Sequence, residues 1–270
     1  MKTTAAVLME MEQPMPYAES MPLEIQELEL EGPVEDEVLV EIKGAGLCHS
    51  DLSVINGSRP RQMPMVLGHE ASGIVREVGS AVRGFKADDH VIFTFIPGCG
   101  SCRYCSTGRP SLCEPGAEAN NAGTLMNGGR RFSYKGEPYW HHCGVSGYSQ
   151  YTIAVPGSLV KIDKNLPFEL ATLFGCAVTT GTGAAMNTAD IQAGQSVAIF
   201  GLGGVGLAAL MGAKACNAEE IIAVDLLDSK LEMAKNLGAT HVVSAKDNNP
   251  VEVIQDLTHG GVEIAIESVG

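Results

Sequence analysis

The stretch SVAIFGLGGVGLAALMGAKACNAEEIIAVD, residues 196–225, decides the fold. It opens with an apolar run at residues 196–200, passes through a cluster of glycines, becomes alanine-rich at residues 205–216 and closes on a second apolar run at residues 221–225. Short apolar runs of this length are typical of buried strands, and the longer segment between them is typical of a helix. Two strands joined by a helix run parallel, because a parallel pair needs a crossover connection. The sequence therefore predicts a βαβ unit.

The same alternation continues further along the chain. We expect a helix at residues 229–237, a strand at 241–244, a helix at 250–257 and a strand at 262–268. Repeated βα units predict an α/β fold with a doubly wound parallel sheet of the Rossmann type. Because a complete sheet of this type has six strands, we expect it to continue past Gly270. A chain that ended there is expected to expose a strand edge and to be marginally stable or prone to aggregate.

The glycines of the opening stretch form the pattern Gly-x-Gly-x-x-Gly between the first strand and its helix. Gly201 allows a tight turn, Gly203 lets the backbone approach a pyrophosphate, and Gly206 lets the helix pack close to the strand. The helix N-terminus, near Gly204 and Val205, then faces the anion. The alternative is a purely structural turn, which the flanking strand and helix disfavour. The pattern predicts that this turn binds a dinucleotide.

The second strand ends in Asp225, nineteen residues after Gly206. A carboxylate at this point can accept hydrogen bonds from the ribose hydroxyls of adenosine. The same charge would repel a 2′-phosphate. We therefore expect NAD rather than NADP as the cofactor.

The chain before this stretch has a different character. Residues 37–43 alternate between apolar and polar side chains, residues 73–78 and 90–95 are rich in β-branched or aromatic side chains, and glycine or proline punctuates between them. Such a pattern is typical of strands joined by turns. We expect a mostly-β domain at residues 1–175 and a second, incomplete nucleotide-binding domain at residues 176–270.

The composition limits the classes of partner. Lysine and arginine total 18 against 32 aspartate and glutamate residues, which gives a formal charge of −14. An acidic chain of this kind is repelled by nucleic acid and by anionic membrane surfaces. The apolar run at residues 5–9 is too short for a signal peptide, and no later run approaches the ~18 apolar residues of a membrane span. We expect a soluble, cytoplasmic protein that binds neither nucleic acid nor a membrane.

Four of the eight cysteines fall within fifteen residues, at Cys99, Cys102, Cys105 and Cys113. Four thiolates at this density suit a closed, tetrahedral zinc site, which is a structural rather than a catalytic arrangement. An iron–sulfur cluster is the alternative, but the bacterial ferredoxin run has a shorter last gap followed by proline. Two disulfides are disfavoured in a reducing compartment. We interpret the cluster as a structural zinc site.

A second set of metal-binding residue types is spread along the chain. Cys48 and His69 flank one short segment, and Cys176 lies far beyond them. Two cysteines and one histidine, with the fourth position left for water or substrate, are typical of catalytic zinc. Each of the three residues alone is more often a buried core residue. Spacing alone therefore leaves this site a hypothesis.

Taken together, these motifs resemble the zinc-containing alcohol dehydrogenases of the medium-chain dehydrogenase/reductase superfamily. The resemblance covers the whole chain and rests on Gly-x-Cys-His-Ser-Asp at residues 46–51, Gly-His-Glu at 68–70, the four-cysteine cluster, Phe-Gly-Cys at 174–176 and the glycine-rich turn. Residues 123–151 are similar to the loop of the branch that contains the animal liver and glutathione-linked enzymes. The resemblance implies a GroES-like catalytic domain followed by a partial Rossmann domain. It also implies two zinc ions per subunit, NAD, an alcohol or aldehyde substrate, and a homodimer or homotetramer in the full-length form.

The resemblance further implies a role for each matching residue of the first domain. Cys48, His69 and Cys176 would bind the catalytic zinc, and Glu70 would lie behind the metal or transiently on it. Asp51 would orient His69. We expect a primary or aromatic alcohol as the substrate.

The remaining matches concern the reaction and the cofactor. Ser50 would take the proton of the alcohol, and the hydride would pass to the nicotinamide. His49 would face the pyrophosphate, Thr180 the nicotinamide and Lys230 the adenosine ribose.

Several residues depart from the pattern of that family. Ser53 stands where the liver-type enzymes carry a histidine that passes the proton to solvent, so proton release is expected to differ. His142 and Cys143 occupy stretches that are commonly apolar in the substrate pocket. Ala117 lacks the positive charge that glutathione-linked members place there, which weakens a role in formaldehyde-adduct oxidation.

Two other functions stay open at the level of sequence. A polyol dehydrogenase typically has glutamate as its third protein ligand, and Cys176 argues against it. A catalytically idle relative that binds zinc and nucleotide is disfavoured because the ligands and Ser50 are intact.

Overall fold

The computed structural model describes residues 1–246 and 249–270. They form two compact units, Met1–Cys176 and Ala177–Gly270. Each unit is described by itself. No helix in the described part of the chain is long and apolar enough to span a membrane.

The first unit, every residue of which is described, consists mainly of strands. In chain order they are β1 (Lys2–Leu8), β2 (Leu23–Leu30), β3 (Val38–Ala45), β4 (Met65–Val66), β5 (Ala71–Val78), β6 (His90–Phe93), β7 (Phe132–Tyr134), β8 (Glu137–His141), β9 (Tyr151–Ala154) and β10 (Leu159–Lys161). The helices are α1 (Tyr17–Ser20), α2 (His49–Ile55), α3 (Arg103–Ser106), α4 (Glu114–Ala122) and α5 (Phe168–Ala171). Short 3-10 turns lie at Pro110–Leu112, Pro156–Ser158 and Thr172–Gly175.

These strands form a barrel and a separate sheet. A closed barrel has the strand order β1-β2-β7-β8-β4, and a five-stranded sheet has the order β10-β6-β5-β3-β9. The strands expected at residues 37–43, 73–78 and 90–95 correspond to β3, β5 and β6. The fold class of this part, mostly β and GroES-like, is confirmed.

Apolar side chains on the inner faces of the strands explain why the barrel and the sheet form. Val7 of β1 and Leu28 of β2 are fully buried in the barrel core together with Phe132 of β7. Val40 of β3 and Val75 of β5 are fully buried in the core of the five-stranded sheet. Burial of such side chains stabilises a fold by roughly 1.5–3 kcal/mol each.

The second unit contains the predicted βα repeats. Its described strands are β11 (Ser196–Phe200), β12 (Glu220–Asp225), β13 (His241–Ser244) and β14 (Ile264–Glu267). Its described helices are α6 (Ala177–Gly183), which continues as a π-helical turn at Ala184–Thr188, α7 (Gly204–Ala215), α8 (Asp228–Leu237) and α9 (Pro250–Thr258). The strands are parallel in the order β13-β12-β11-β14. The Rossmann-type fold class is confirmed, and each predicted strand and helix is present within two residues of its expected ends.

The central strand of this sheet is covered on both faces. Val197 and Ile199 of β11 pack into one core cluster, whereas Ala198 packs into the cluster on the opposite face. A continuous apolar run is typical of a parallel strand buried on both sides. The strands after β11 are added first on one side of it (β12, β13) and then on the other (β14), so the strand order reverses between β11 and β14. Ligands of such sheets bind beyond the carboxyl ends of the strands at this reversal point.

A buried ion pair between Arg131 and Glu37 connects the loop after α4 to the residue before β3. Glu37 is fully buried, and its carboxylate accepts hydrogen bonds from Arg131 Nη2 at 2.9 Å and from Asn127 Nδ2 at 2.7 Å. The backbone N–H of Val34 donates to the same carboxylate at 3.1 Å. Burial raises the pKa of Glu37, but the hydrogen bonds from Arg131 and Asn127 outweigh it, so the net pKa lies below 4.5.

We expect Glu37→Gln to lower the free energy of unfolding of this unit by about 3 kcal/mol at neutral pH, because it leaves Arg131 without its buried partner. The pKa of Glu37 is lower in the folded protein than in the unfolded one. The stabilisation that the Glu37 carboxylate gives the wild type is therefore fully present above the unfolded pKa of 4.5 and is lost as pH falls through the folded value. Urea unfolding followed by fluorescence of the single tryptophan, Trp140, measures both effects. The exposed Glu35→Gln is the matched control, and equal stability of the two variants would contradict the prediction.

Candidate functional site

Four side chains from distant parts of the first unit meet in one buried cluster. Cys48 immediately precedes α2, His69 and Glu70 lie between β4 and β5, and Cys176 follows the 3-10 turn Thr172–Gly175. Their potential ligand atoms all lie within 4.8 Å of one another. His69, Glu70 and Cys176 are buried, and Cys48 is half-buried. The fold thus brings together the three residues that sequence spacing alone could not join.

Cys176 is held in place by contacts of the segment before it. The hydroxyls of Ser72 and Thr172 lie 2.7 Å apart, and each donates to the carbonyl of Phe168 at 2.8 Å. Gly175 packs so closely that a Cβ there would lie 2.7 Å from the carbonyl oxygen of Phe93. Ser72 and Thr172 are residues that sequence reasoning missed, because neither belongs to a recognisable motif.

Asp51 lies behind His69 and is almost completely buried. Its Oδ1 accepts from the backbone N–H of Gly68 at 3.1 Å, and its Oδ2 accepts from the hydroxyl of Tyr148 at 3.2 Å. His69 Nδ1 is 3.1 Å from Oδ2, and His142 Nδ1 is 3.0 Å from Oδ1. Both rings thus lie within contact distance of the carboxylate, although neither Nδ1 meets the geometric criteria of a hydrogen bond. The contacts of His142 and Tyr148 with Asp51 could not be predicted from the sequence.

The electrostatics of the cluster favour a bound cation. A hydrogen bond from Cys176 lowers the pKa of Cys48 to about 3, despite burial, and the Cys48 thiolate in turn raises the pKa of Cys176. Burial lowers the pKa of His69, but Asp51 and Cys48 outweigh it and raise the pKa to about 10. A thiolate and a carboxylate around one imidazole thus create a negative potential that a metal ion could neutralise in place of a proton.

The donor set fits zinc. His69 Nδ1 lies 3.1 Å from Asp51 Oδ2, and neither nitrogen of this buried ring makes a hydrogen bond of good geometry in the described part of the chain. Two cysteine sulfurs and one ring nitrogen match the ligand set of a Cys2His zinc site, and Glu70 is a fourth potential ligand in the same cluster. A carboxylate on the other ring nitrogen is the usual partner of a metal-bound histidine.

The first turn of α2 carries the residues expected to act on the alcohol and the cofactor. Ser50 is half-buried, and its backbone N–H donates to the sulfur of Cys48. His49 is exposed. Ser53 Oγ donates to the carbonyl oxygen of His49 at 3.0 Å and lies 3.5 Å from His49 Nδ1. A serine at this position therefore bonds back to its own helix.

The four-cysteine cluster forms a separate lobe. Its four sulfur atoms lie within 4.8 Å of one another, and those of Cys99 and Cys105 are 3.9 Å apart. Tetrahedral zinc with bonds of roughly 2.3 Å would separate its sulfur ligands by about 3.8 Å. The backbone N–H of Cys102 donates to Cys99 Sγ at 3.2 Å, and that of Cys99 donates to Cys113 Sγ at 3.3 Å. Backbone donation from Ser101 and Cys102 lowers the pKa of Cys99 to about 6, which favours a thiolate ligand.

The eight cysteines, all of them in the described part of the chain, are not joined by disulfides. Thiols of this kind remain available for metal binding. The structure thus contains two separate groups of cysteines that could bind metal.

The glycine-rich turn has the geometry that its pattern requires. Gly201 adopts φ +85°, and a Cβ on Gly206 would lie 1.8 Å from the carbonyl oxygen of Gly201. A Cβ on Gly203, in contrast, would meet no atom within 4 Å. The first turn of α7, with Gly204 and Val205, has no side-chain cap, so its N–H groups can bind an anion.

Asp225 lies at the end of the neighbouring strand. Its carboxylate accepts from the backbone N–H groups of Leu202 at 2.7 Å and Leu227 at 2.9 Å, and Lys230 Nζ is 3.7 Å from Oδ2. Burial raises the pKa of Asp225, but these backbone hydrogen bonds and Lys230 outweigh it, so the net pKa is lowered. Asp225 is therefore a fixed anion beside the glycine-rich turn, and the structure brings Lys230 to the same place.

Thr180 belongs to α6 and is exposed. Its neighbour Gly181 packs so tightly on α7 that a Cβ there would lie 2.1 Å from the carbonyl oxygen of Val205. Thr180 consequently lies near the N-terminal end of α7, where the anion would bind.

Two family models match parts of the chain, and the sequences of similar dehydrogenases align with its whole length. The alcohol dehydrogenase GroES-like domain matches residues 34–164, and the zinc-binding dehydrogenase domain matches residues 204–270. The S-(hydroxymethyl)glutathione dehydrogenase of Synechocystis sp. is 41% identical, in an alignment that covers 100% of this chain and 72% of that protein.

Solved structures give the same result. An alcohol dehydrogenase zinc-binding domain protein from Burkholderia ambifaria superposes with a TM-score of 0.91 at 36% identity, over 100% of this chain and 71% of that chain. Benzyl alcohol dehydrogenase from Acinetobacter calcoaceticus superposes with a TM-score of 0.90, also at 36% identity and over the same shares of the two chains.

Proposed function

We propose a specific activity for this chain, which belongs to the zinc-binding alcohol dehydrogenase family: it oxidises a primary or aromatic alcohol to the aldehyde, with NAD as the hydride acceptor, and catalyses the reverse reduction. In this proposal each subunit binds two zinc ions, one in the Cys48, His69 and Cys176 cluster and one in the four-cysteine lobe. The family is an oxidoreductase family, and the substrate, the nicotinamide cofactor and the metal count are the parts that we propose.

The buried cluster of Cys48, His69 and Cys176, with Glu70 as a fourth potential ligand, carries the proposal. A structural zinc site uses four protein ligands, whereas a catalytic site with three would leave a position that the substrate could take in place of Glu70. When bound, zinc would act as a Lewis acid on the alcohol oxygen, and the nicotinamide would accept the hydride.

The chain's own residues would prepare the alcohol for this step. Cys48, His69 and Cys176 would hold the metal, and Asp51 would fix the ring of His69 so that Nε2 points to it. Ser50, in the first turn of α2, would accept the proton of the alcohol hydroxyl. Glu70 adds a buried carboxylate to the same cluster.

A panel of alcohols tests the proposal. The zinc-loaded full chain is mixed with NAD and with aliphatic primary, aromatic, secondary and polyol substrates, and formation of NADH is followed by absorbance. We expect turnover of primary or aromatic alcohols. Turnover of polyols alone would favour a polyol dehydrogenase, and no turnover with both metals bound would favour a catalytically idle relative.

S-(hydroxymethyl)glutathione is a second candidate substrate, because the name of the Synechocystis relative contains it. Against it stands Ala117, because the family resemblance implies a positive charge at this position in the glutathione-linked members. The same assay with formaldehyde and glutathione decides between the two. Faster turnover of the glutathione adduct than of every simple alcohol would make it the substrate.

The cofactor preference gives a separate prediction. Asp225→Asn keeps the shape of the side chain but removes its charge, so it weakens ribose binding and removes the repulsion of a 2′-phosphate. We expect the ratio of kcat/KM for NADP to that for NAD to rise about tenfold or more, since a hydrogen bond to a charged group contributes roughly 1.5–3 kcal/mol.

Asp228→Asn is the control for this change, because Asp228 is a carboxylate only three residues after Asp225 but its side chain is 81% exposed. It should leave the ratio unchanged. A wild-type enzyme that prefers NADP, or an unchanged ratio after Asp225→Asn, would overturn the assignment of Asp225.

We further propose that the protein is a cytoplasmic homodimer or homotetramer. Thiols stay reduced in the cytoplasm, as metal-binding cysteines require. Light scattering of the purified full chain measures the oligomeric state, and a monomeric mass would refute this part of the proposal.

A further inference from the structure

His142 is held rigidly at the start of an unusual turn. After β8 the chain reverses through residues with left-handed backbone angles, among them Cys143 at φ +54° and Ser146 at φ +51°. Such angles are rare for residues with a side chain and persist only where the surroundings enforce them. The backbone N–H of His142 donates to Ser146 Oγ at 3.2 Å, and the N–H groups of Val145 and Ser146 donate to its carbonyl oxygen at 3.0 and 3.1 Å.

This turn directs the imidazole of His142 to Asp51. The side chain is 2% exposed, and Nδ1 lies 3.0 Å from Asp51 Oδ1. The rings of His142 and His69 stand edge to face, with centroids 5.5 Å apart. Asp51 therefore lies between two imidazoles, one of which belongs to a residue of the proposed metal cluster.

Each carboxylate oxygen of Asp51 has two of these contacts. Oδ1 contacts the backbone N–H of Gly68 and the ring of His142, whereas Oδ2 contacts the hydroxyl of Tyr148 and the ring of His69. A carboxylate rotates more freely about its Cβ–Cγ bond when one of its oxygens loses a partner. With His142 absent, the Gly68 N–H alone would hold Oδ1, so the carboxylate would be held less firmly in the orientation that places Oδ2 beside His69 Nδ1.

We propose that His142 is a positioning residue, which fixes the Asp51 carboxylate so that Asp51 in turn orients His69 toward the metal. The inference rests on the proposed metal site and adds to it a residue that does not itself bind metal. His142 thereby has a function other than that of a substrate-pocket wall.

Two variants of His142 separate this role from packing. The amide nitrogen of asparagine takes the place of imidazole Nδ1, so His142→Asn retains the donor to Asp51, whereas His142→Leu removes it and keeps an apolar volume. Release of zinc to a coloured chelator is followed in the full chain. We expect release from the Cys48, His69 and Cys176 cluster to be about tenfold faster in His142→Leu, in line with the 10- to 100-fold cost of removing partners of metal-bound histidines.

The asparagine variant should release this zinc within about threefold of the wild-type rate, given that its donor is retained. Zinc in the four-cysteine lobe should be released at the wild-type rate in both variants. The control His241→Leu, at an exposed histidine, should release both zinc ions at the wild-type rates. If His142→Leu released this zinc at the wild-type rate, or if both His142 variants released it equally fast, the inference would be overturned. Should His142→Leu fail to fold, histidine-selective NMR of the wild type provides the test: His142 must carry a proton on Nδ1, and a deprotonated Nδ1 would also overturn it.

The wild-type metal count keeps this inference separate from the proposed function. If the wild type binds zinc only in the four-cysteine lobe, the proposed function fails before His142 is tested. If it binds two zinc ions and His142→Leu releases both at wild-type rates, only the role of His142 fails.

Discussion

Replacing Cys176 with serine is expected to lower kcat/KM for alcohol oxidation by about 10³-fold or more, since Lewis-acid stabilisation contributes several kcal/mol and each 1.4 kcal/mol changes a rate tenfold. Cys176 is buried beside Cys48 and His69, and a hydroxyl there is a much poorer zinc ligand than a thiolate. Metal analysis should show the loss of one zinc per chain. Steady-state kinetics and atomic absorption on the same sample measure both effects.

Cys216→Ser is the matched control, because Cys216 follows α7 and belongs to neither cysteine cluster. It should retain both zinc ions and full activity. Activity of Cys176→Ser close to that of Cys216→Ser would show that Cys176 does not hold a catalytic metal.

Replacing Cys105 with serine is expected to unfold the four-cysteine lobe. Such lobes depend on their metal, since zinc binding contributes on the order of 10 kcal/mol to the folding of small zinc domains. In this lobe only Cys113 among the four ligands is fully buried, so little apolar burial can replace the metal. We expect Cys105→Ser to lose one zinc per chain and to be cleaved rapidly by protease at residues 98–113.

Ser106→Ala provides the control in the same helix, where the serine is exposed and its hydroxyl only bonds back to the carbonyl of Arg103. It should keep two zinc ions and wild-type resistance to protease. A Cys105→Ser variant that keeps two zinc ions and resists protease would contradict a structural zinc in this lobe.

The elements of the second unit could be predicted from the sequence because local pattern determines them. The apolar run that forms β11 and the glycines that begin α7 lie within a few residues of one another, so their structure depends on short-range preferences. The Asp225 position follows in the same way from the end of β12. The strands of the first unit were predicted only in outline, because the barrel pairs residues that are far apart, such as Glu29 and Ser133.

The candidate metal cluster was less accessible to sequence reasoning. The four-cysteine lobe follows from spacing, whereas joining Cys176 to Cys48 and His69 required a family resemblance, because 107 residues separate His69 from Cys176. The contact of Asp51 with His142 could not be predicted by either route. It depends on the turn after β8, where Gly144 and Ser146-Gly147 indicate a turn but do not predict the left-handed backbone angles of Cys143 and Ser146.

Transfer of deuterium from a C1-deuterated alcohol to NAD tests the central claim most directly. The zinc-loaded full chain is incubated with dideuterated benzyl alcohol and NAD, and the reduced cofactor is examined by mass spectrometry, with Cys176→Ser run in parallel. The proposed function predicts one deuterium in each NADH formed by the wild type and about 10³-fold slower NADH formation by Cys176→Ser. Formation of NADH without deuterium, or undiminished transfer in Cys176→Ser, would contradict zinc-dependent alcohol oxidation by this chain.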